Sequence, residues 1–66
     1  MKNRVYERRK EMGLTQDGLA KAAQIGRSSV SEIESGSRLP RVDTAKLISI
    51  ALKTTVDYLF YFEEER

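Results

Sequence analysis

Apolar side chains recur three or four positions apart, and no stretch of four residues alternates cleanly between apolar and polar. Such spacing is typical of amphipathic helices rather than of strands. We therefore predict an all-α protein, a compact bundle of about five short helices. The helices are expected at about 3–12, 16–24, 27–35, 42–52 and 56–60, and residues 61–66 should form a short strand or a frayed tail.

Turn and capping residues mark the predicted ends of these helices. Gly13 and Gly36 follow the first and third helices, where glycine commonly ends a helix. Thr15 and Thr55 precede the second and fifth helices and are good N-caps. An aspartate stands two residues after each threonine, in the first helical turn, where the helix dipole favours a negative charge. These signals support the boundaries given above.

The composition excludes several classes of function. At 66 residues the chain is long enough for one domain, which we place at 1–62 with an acidic tail at 63–66. The absence of cysteine and histidine excludes disulfides, thiolate zinc sites and the commonest general base. We expect no cofactor, no metal site, no small-molecule ligand and no enzymatic activity. The apolar runs are too short for a membrane span, and the start lacks a signal-peptide pattern, so we expect a cytoplasmic protein.

Charge is distributed unevenly, although the net charge is only +2. Residues 1–10 hold five basic and one acidic side chain, whereas residues 57–66 hold one basic and four acidic side chains. One end could therefore face a polyanion that the other end avoids. An ordinary solvated surface with a charged tail would show the same pattern, so charge alone does not distinguish this interpretation from a polyanion-binding surface.

The most informative segment runs from Gln16 to Ser35. Two helices that cross steeply through a tight turn need a small residue where their backbones approach, and Ala20 is placed there. Val30 and Ile33 lie three apart and supply an inward apolar face for the third helix. Its opposite face is then short and polar, and such a face fits a groove about 12 Å wide. That face consists of Arg27, Ser28, Ser31 and Glu32.

Matching residue types extend over nearly the whole chain. They are Arg9, the Gly-Leu-Thr-Gln run at 13–16, Leu19, Ala20, Ile25, Val30, Ser31, Ile33, Glu34, Gly36, Pro40, Ala51, Leu52, Val56, Asp57, Leu59 and Phe60. On these residues the sequence resembles the lambda-repressor-like, Cro/C1-type (XRE family) helix-turn-helix domains. The resemblance implies a helix-turn-helix DNA-binding fold with a motif at about 16–35.

The resemblance also implies a role for each matching side chain. Base contacts are expected from the third helix, at Arg27, Ser28 and Glu32. It implies contacts with the DNA backbone at Gln16 and Arg38. We expect further backbone contacts at Ser29, Ser31 and Arg41, which lie close to these positions in the sequence. Arg9 and Glu34 match a pair that forms a salt bridge between the first and third helices.

The chemistry of these side chains supports some roles more strongly than others. Arg27 can donate two parallel hydrogen bonds to guanine and is the strongest candidate for a base contact; the alternative is a nonspecific phosphate contact. Glu32 can accept from cytosine, but it could instead be solvated or pair with a nearby arginine. Gln16 could simply begin a helix, Ser29 could cap the third helix, and Arg38 and Arg41 could be solvated loop charges.

Two positions depart from the family pattern. Gln24 stands where the family most often has a glycine in the turn. If this residue is left-handed, its Cβ costs about 1 kcal/mol, and replacement by glycine should stabilise the fold. Arg8 stands where many members have leucine, so we expect the first helix to bury less apolar surface here.

The fourth helix carries two apolar stripes. The stripe expected to face the core consists of Val42, Ala45, Ile48, Ser49 and Leu52. Leu47, Ile50 and Ala51 form a second stripe on roughly the opposite face. Because exposed apolar patches usually mark interaction surfaces, we predict a homodimer interface there. The residues predicted for it are Leu47, Ile50, Tyr58, Tyr61 and Phe62; alternatively, the tail folds back over the fourth helix within one chain.

The predicted function is a sequence-specific regulator of transcription that binds double-stranded DNA. We expect a repressor that binds a palindromic operator as a homodimer, with recognition helices about 34 Å apart. The alternative is an antitoxin-like or restriction-modification controller protein, in which DNA binding is autoregulatory and the apolar surface binds a partner protein.

Overall fold

The computed structural model describes residues 2–61. In these residues, five helices lie between two very short strands. This arrangement confirms the predicted all-α bundle with a short strand near its C-terminal end. The elements are β1 (Lys2–Asn3), α1 (Val5–Glu11), α2 (Gln16–Ala23), α3 (Arg27–Ser35), α4 (Val42–Ala51), α5 (Val56–Leu59) and β2 (Phe60–Tyr61).

The predicted capping residues occupy their expected positions. The Thr15 hydroxyl accepts a hydrogen bond from the Gly18 backbone N–H at 2.9 Å, and α2 begins at the next residue. The Thr55 hydroxyl accepts from the Tyr58 N–H at 3.1 Å at the start of α5. Gly36 ends α3 with φ 83°, a left-handed conformation that glycine adopts without a Cβ clash. Local side-chain chemistry therefore determines most of the helix ends.

The core forms where α2 packs against both α3 and α4. Its fully buried apolar side chains come from every helix, and they are Val5, Leu19, Ala20, Ala23, Val30, Ile33, Ile48, Leu52 and Leu59. Ala45 and Ser49 are buried as well, as the core stripe of α4 predicts. Val42 was also predicted to face the core, and this prediction is wrong. Val42 is the first residue of α4 and is 89% exposed.

The two ends of the chain pair with each other, which the sequence pattern did not predict. Lys2 lies opposite Tyr61 and Asn3 opposite Phe60 in an antiparallel pair. Helix α1 therefore begins at Val5 rather than at Asn3, and Phe60 belongs to a strand rather than to the fifth helix. The Asn3 amide fixes this start, since its oxygen accepts from Val5 N–H and its nitrogen donates to the Ile33 carbonyl at 2.9 Å. Phe62 and the acidic tail at 63–66 lie outside the described residues.

Arg8 has a structural role that a leucine could not perform. Its Nε donates to the Leu52 carbonyl at 2.9 Å, and its Nη2 donates to the Lys53 carbonyl at 3.3 Å. These carbonyls lie at the C-terminal end of α4, where unpaired acceptors and the helix dipole both favour a cation. Arg8 thus joins α1 to α4 through polar contacts.

Candidate nucleic-acid interface

A tight turn at residues 24–26 joins α2 to α3 and determines how the two helices cross. Gln24 lies in the left-handed region, with φ 61° and ψ 41°, so the condition under which replacement by glycine should stabilise the fold is met. The Ile25 N–H donates to the Ala20 carbonyl at 2.9 Å, which closes the end of α2. Helix α3 begins at Arg27 with Gly26 at its N-cap. Ser29 is the third residue of α3, so the alternative in which it caps this helix is wrong.

Five of the predicted DNA contacts line one open cleft of about 390 Å³ between the start of α2 and the outer face of α3. These residues are Gln16, Arg27, Ser28, Ser31 and Glu32. On the opposite side of α3, Val30 and Ile33 are each 1% exposed. The helix therefore presents polar side chains to solvent while its apolar side holds it to the core.

The remaining predicted contacts lie together beside the same helix. Ser29, Arg38 and Arg41 line a smaller pocket of about 60 Å³, which also includes Leu39 and Pro40 from the loop after α3. The Arg38 Nη1 donates to the Ser29 hydroxyl at 3.3 Å. The loop is thereby drawn towards α3, and its cations extend the polar surface beyond the cleft.

A buried ion pair fixes α3 against α1. Arg9 Nε lies 2.5 Å from Glu34 Oε2, and the two side chains are 8% and 7% exposed. The Arg9 Nη1 also donates to the Leu14 carbonyl at 2.8 Å. The Gln16 Nε2 donates to Glu34 Oε1 at 3.2 Å, which connects this buried junction to the cleft. The junction therefore holds both α3 and the first side chain of α2.

The exposed cations of the polar surface also lie near carboxylates. Arg38 pairs with Glu32 at 3.1 Å, Arg27 approaches Asp17 at 3.6 Å, and Arg41 lies 4.0 Å from Asp43. The position of Asp17 in the first turn of α2 predicts a favourable charge there, but nothing in the sequence pattern indicates Arg27 as its partner. Exposed pairs of this kind contribute about 0–1 kcal/mol to stability, so another anion can displace the carboxylate from the arginine.

Comparison with known proteins identifies the fold. A helix-turn-helix family model matches residues 5–59, which include all five helices described above. The chain belongs to the Cro/C1-type (XRE) helix-turn-helix family. This family consists of DNA-binding transcriptional regulators, and α3 occupies the position of its recognition helix.

Curated relatives of this helix-turn-helix protein match it over nearly its full length. The uncharacterized HTH-type transcriptional regulator YqaF of Bacillus subtilis is 41% identical over 97% of this chain and 82% of the relative. The uncharacterized HTH-type transcriptional regulator YgzD of the same species is 34% identical over 98% of both chains. An uncharacterized HTH-type transcriptional regulator of Archaeoglobus fulgidus is 31% identical over 98% of this chain and 93% of the relative.

A second surface lies on α4 and α5 of the helix-turn-helix protein. Ile50 is 62% exposed, Tyr58 42% and Leu47 39%, as the second apolar stripe predicted for the α4 residues. Tyr61 is half-buried, and the Arg4 guanidinium lies 4.3 Å from its ring centre and 4.8 Å from that of Tyr58. Phe60 and Tyr61 pair with β1, whereas Tyr58 belongs to α5, which packs against α4.

Two further expectations concern sites outside the cleft. Among residues 2–61, no helix combines the length and apolar composition that crossing a membrane requires. Within the same residues, the carboxylates do not gather into a group of three that could hold a metal ion.

Proposed function

We propose that this protein is a sequence-specific regulator of transcription that represses promoters by binding a palindromic operator as a homodimer. The observation that carries the proposal is the cleft on the outer face of α3, which gathers polar side chains while Val30 and Ile33 are buried behind them. A short polar helix backed by apolar residues suits the major groove of DNA. We propose that the protein acts in the cytoplasm, on the promoter DNA that it represses.

Each side chain of this surface has a proposed role that follows from its chemistry. Arg27, Ser28 and Glu32 contact base edges, and Arg27 can donate to guanine O6 and N7 together. Phosphate contacts come from the start of α2, the flank of α3 and the following loop, at Gln16, Ser29, Ser31, Arg38 and Arg41. The start of α2 adds backbone N–H groups that favour an anion. Arg9 and Glu34 hold α3 at the angle that these contacts need.

The homodimer is supported by the exposed apolar surface of α4. Leu47 and Ile50 are exposed on this helix, and an open groove of about 320 Å³ lies beside Ile50. A small protein gains no stability from exposed leucine and isoleucine, whereas a second copy would remove them from water. We propose that Tyr58, Tyr61 and Phe62 extend this contact. Two copies would then place their recognition helices about 34 Å apart, one turn of DNA.

Selection of bound sequences from random duplex DNA at defined salt tests the specific function. We expect enrichment of one motif with two inverted half-sites about 10 base pairs apart, centre to centre. An enriched motif without inverted symmetry would contradict the dimer while leaving sequence-specific binding intact. Recovery of no enriched motif would contradict the regulator itself.

Sedimentation equilibrium of the Leu47→Lys variant tests the dimer separately. We expect the wild-type protein to associate and Leu47→Lys to be monomeric, because a charge would be buried in the interface. Val42→Lys is the matched control, since Val42 is an exposed apolar residue of the same helix outside the proposed interface. A wild-type monomer would contradict the dimer and favour a different protein as the occupant, as in the antitoxin-like or controller alternative. Capture of a stoichiometric partner from the native host would support that alternative.

A further inference from the structure

We propose that Asp17 and Glu32 are specificity-determining residues. They hold Arg27 and Arg38 in ion pairs, and DNA must displace these carboxylates before it can contact the two arginines. Their effect is to weaken binding to non-cognate DNA. The proposal rests on the proposed function, because it assigns roles within the same DNA-facing surface. It differs from base recognition, since it concerns what the arginines contact before DNA arrives.

The Glu32–Arg38 pair crosses from the recognition helix to the loop that follows it. Arg38 Nη1 donates to Glu32 Oε1 at 3.1 Å and lies 3.3 Å from the Ser29 hydroxyl. Both side chains of the pair are about half exposed, at 55% and 51%. A cation that would otherwise be free to bind any phosphate is therefore held on α3 by a carboxylate of that helix.

The Asp17–Arg27 pair makes a similar connection across the helix-turn-helix. Arg27 Nε lies 3.6 Å from Asp17 Oδ1, and the two side chains are 68% and 69% exposed. Asp17 follows Gln16 in the first turn of α2, and both Gln16 and Arg27 line the cleft. Each side of the cleft thus combines a proposed DNA contact with a nearby carboxylate.

The energetic consequence differs between cognate and non-cognate DNA. Exposed ion pairs are weak, so phosphates can displace the carboxylates from both arginines. The displaced carboxylates then remain within about one Debye length, about 10 Å, of the phosphates and are repelled by them. At a cognate site, guanine can accept from Arg27 and cytosine can donate to Glu32, which offsets this cost. Non-cognate DNA offers phosphates without these base contacts, so the repulsion is not offset.

Binding to a mixed-sequence duplex of about 20 base pairs tests the proposal, with fluorescence anisotropy measured over a range of salt concentrations. We expect Asp17→Asn and Glu32→Gln each to bind this duplex about two- to fivefold more tightly than wild type. The slope of log K against log salt should steepen by about one for each variant. On the duplex obtained by selection, the ratio of cognate to mixed-sequence affinity should fall.

Glu11→Gln is the matched control. Glu11 pairs with Arg8 at 3.1 Å and is 58% exposed, so it resembles Glu32 in geometry and exposure but lies on α1. It should leave the affinity and the salt slope close to wild type. If Asp17→Asn and Glu32→Gln do no more than Glu11→Gln, or bind mixed-sequence DNA more weakly than wild type, the inference is wrong. Salt-dependent binding by wild type would then still support the proposed function, whereas a wild-type protein that binds no duplex would overturn both.

Discussion

Two regions of this molecule hold arginine–carboxylate pairs that differ strongly in burial. At the junction of α1 and α3, Arg9 and Glu34 are almost completely buried. On the outer surface of α2 and α3, Arg27 and Arg38 pair with carboxylates while remaining more than half exposed. Each pair joins an arginine to a carboxylate. Burial, rather than residue type, therefore separates a pair that positions a helix from pairs whose carboxylate DNA can displace.

The remaining hydrogen bonds explain why the buried pair cannot exchange. The Arg9 guanidinium donates to Glu34 and to the Leu14 carbonyl, and Glu34 also accepts from Gln16. Removing one partner would leave a desolvated charge, which is far more costly than losing an exposed pair. Gln16 belongs to both regions, because it donates into the junction and also lines the cleft.

The largest expected effect comes from breaking the buried pair. Glu34→Ala should lower the free energy of unfolding by about 3–5 kcal/mol, because Arg9 stays buried without its partner. Glu32→Ala removes an exposed partner and should change it by no more than about 1 kcal/mol. Urea unfolding followed by circular dichroism measures both. Equal unfolding midpoints for the two variants would contradict the comparison.

A double variant separates the lost pair from a general failure to fold. Replacing both partners, Arg9→Met with Glu34→Leu, removes the buried charges together and should recover most of the stability that Glu34→Ala loses. DNA binding should remain weaker than in wild type, because Gln16 would lose its acceptor. A double variant as unstable as Glu34→Ala would show that the unpaired charge of Arg9 is not what destabilises Glu34→Ala.

Removing an exposed arginine should affect binding but not folding. Arg27→Ala is expected to cost about 1–3 kcal/mol of discrimination at one base pair, since the contact with guanine is lost. Its free energy of unfolding should change by less than about 0.5 kcal/mol. Arg41→Ala is the informative comparison, because loss of a phosphate contact should weaken binding to all sequences similarly and reduce the salt slope by about one. Uniform weakening by Arg27→Ala would contradict its role in base recognition.

Arg8 is intermediate in exposure between Arg9 and the exposed arginines of the DNA-facing surface, so its replacement should have an intermediate effect on stability. Its side chain is 27% exposed and donates to the Leu52 and Lys53 carbonyls just after α4. Arg8→Ala should therefore destabilise the protein by about 1–2 kcal/mol. The neighbouring exposed Lys10→Ala should cost less than about 0.5 kcal/mol. Thermal unfolding of both variants gives the comparison, and equal melting temperatures would show that the Arg8 contacts do not contribute.

The smallest expected effect is a gain in stability at the turn that joins α2 to α3. Gln24 is left-handed, so Gln24→Gly should stabilise the fold by about 0.5–1 kcal/mol. Ala22→Gly is the control, because an exposed glycine inside a helix should destabilise it by about 1 kcal/mol. Melting temperatures should move in opposite directions. A lower melting temperature for Gln24→Gly would show that the glutamine side chain has a stabilising contact.

Features of the fold that depend on local chemistry could be predicted from the sequence. Thr15 and Thr55 cap their helices, because a few neighbouring residues determine each helix start. The strand pairing of Asn3 with Phe60 joins opposite ends of the chain, so no local pattern signals it. Val42 was assigned to the core because it continues the stripe of α4, but at the first turn of that helix it is not covered.

The candidate site also combines features that depend on local sequence with contacts that depend on the tertiary fold. The face formed by Arg27, Ser28, Ser31 and Glu32 could be predicted, because Val30 and Ile33 determine which side of α3 is inward. Pairing of Glu32 with a nearby arginine was one of the alternatives predicted, and Arg38 is that arginine. The pairing of Asp17 with Arg27 was not predicted. Asp17 on α2 reaches Arg27 on α3, so this pair depends on how the two helices cross. Arg38 reaches Glu32 from the loop that follows α3, so the second pair depends on the path of that loop.

The most direct test of this account is a titration of the isotope-labelled protein with duplex DNA, followed by the backbone amide signals in NMR. If the exposed pairs exchange with DNA while the buried junction holds α3 in place, the largest changes should occur at Gln16 and at residues 27–32. The signals of Glu11 and Lys53 should stay nearly unchanged. Changes concentrated in the basic segment at 2–10, with α3 unaffected, would contradict the account.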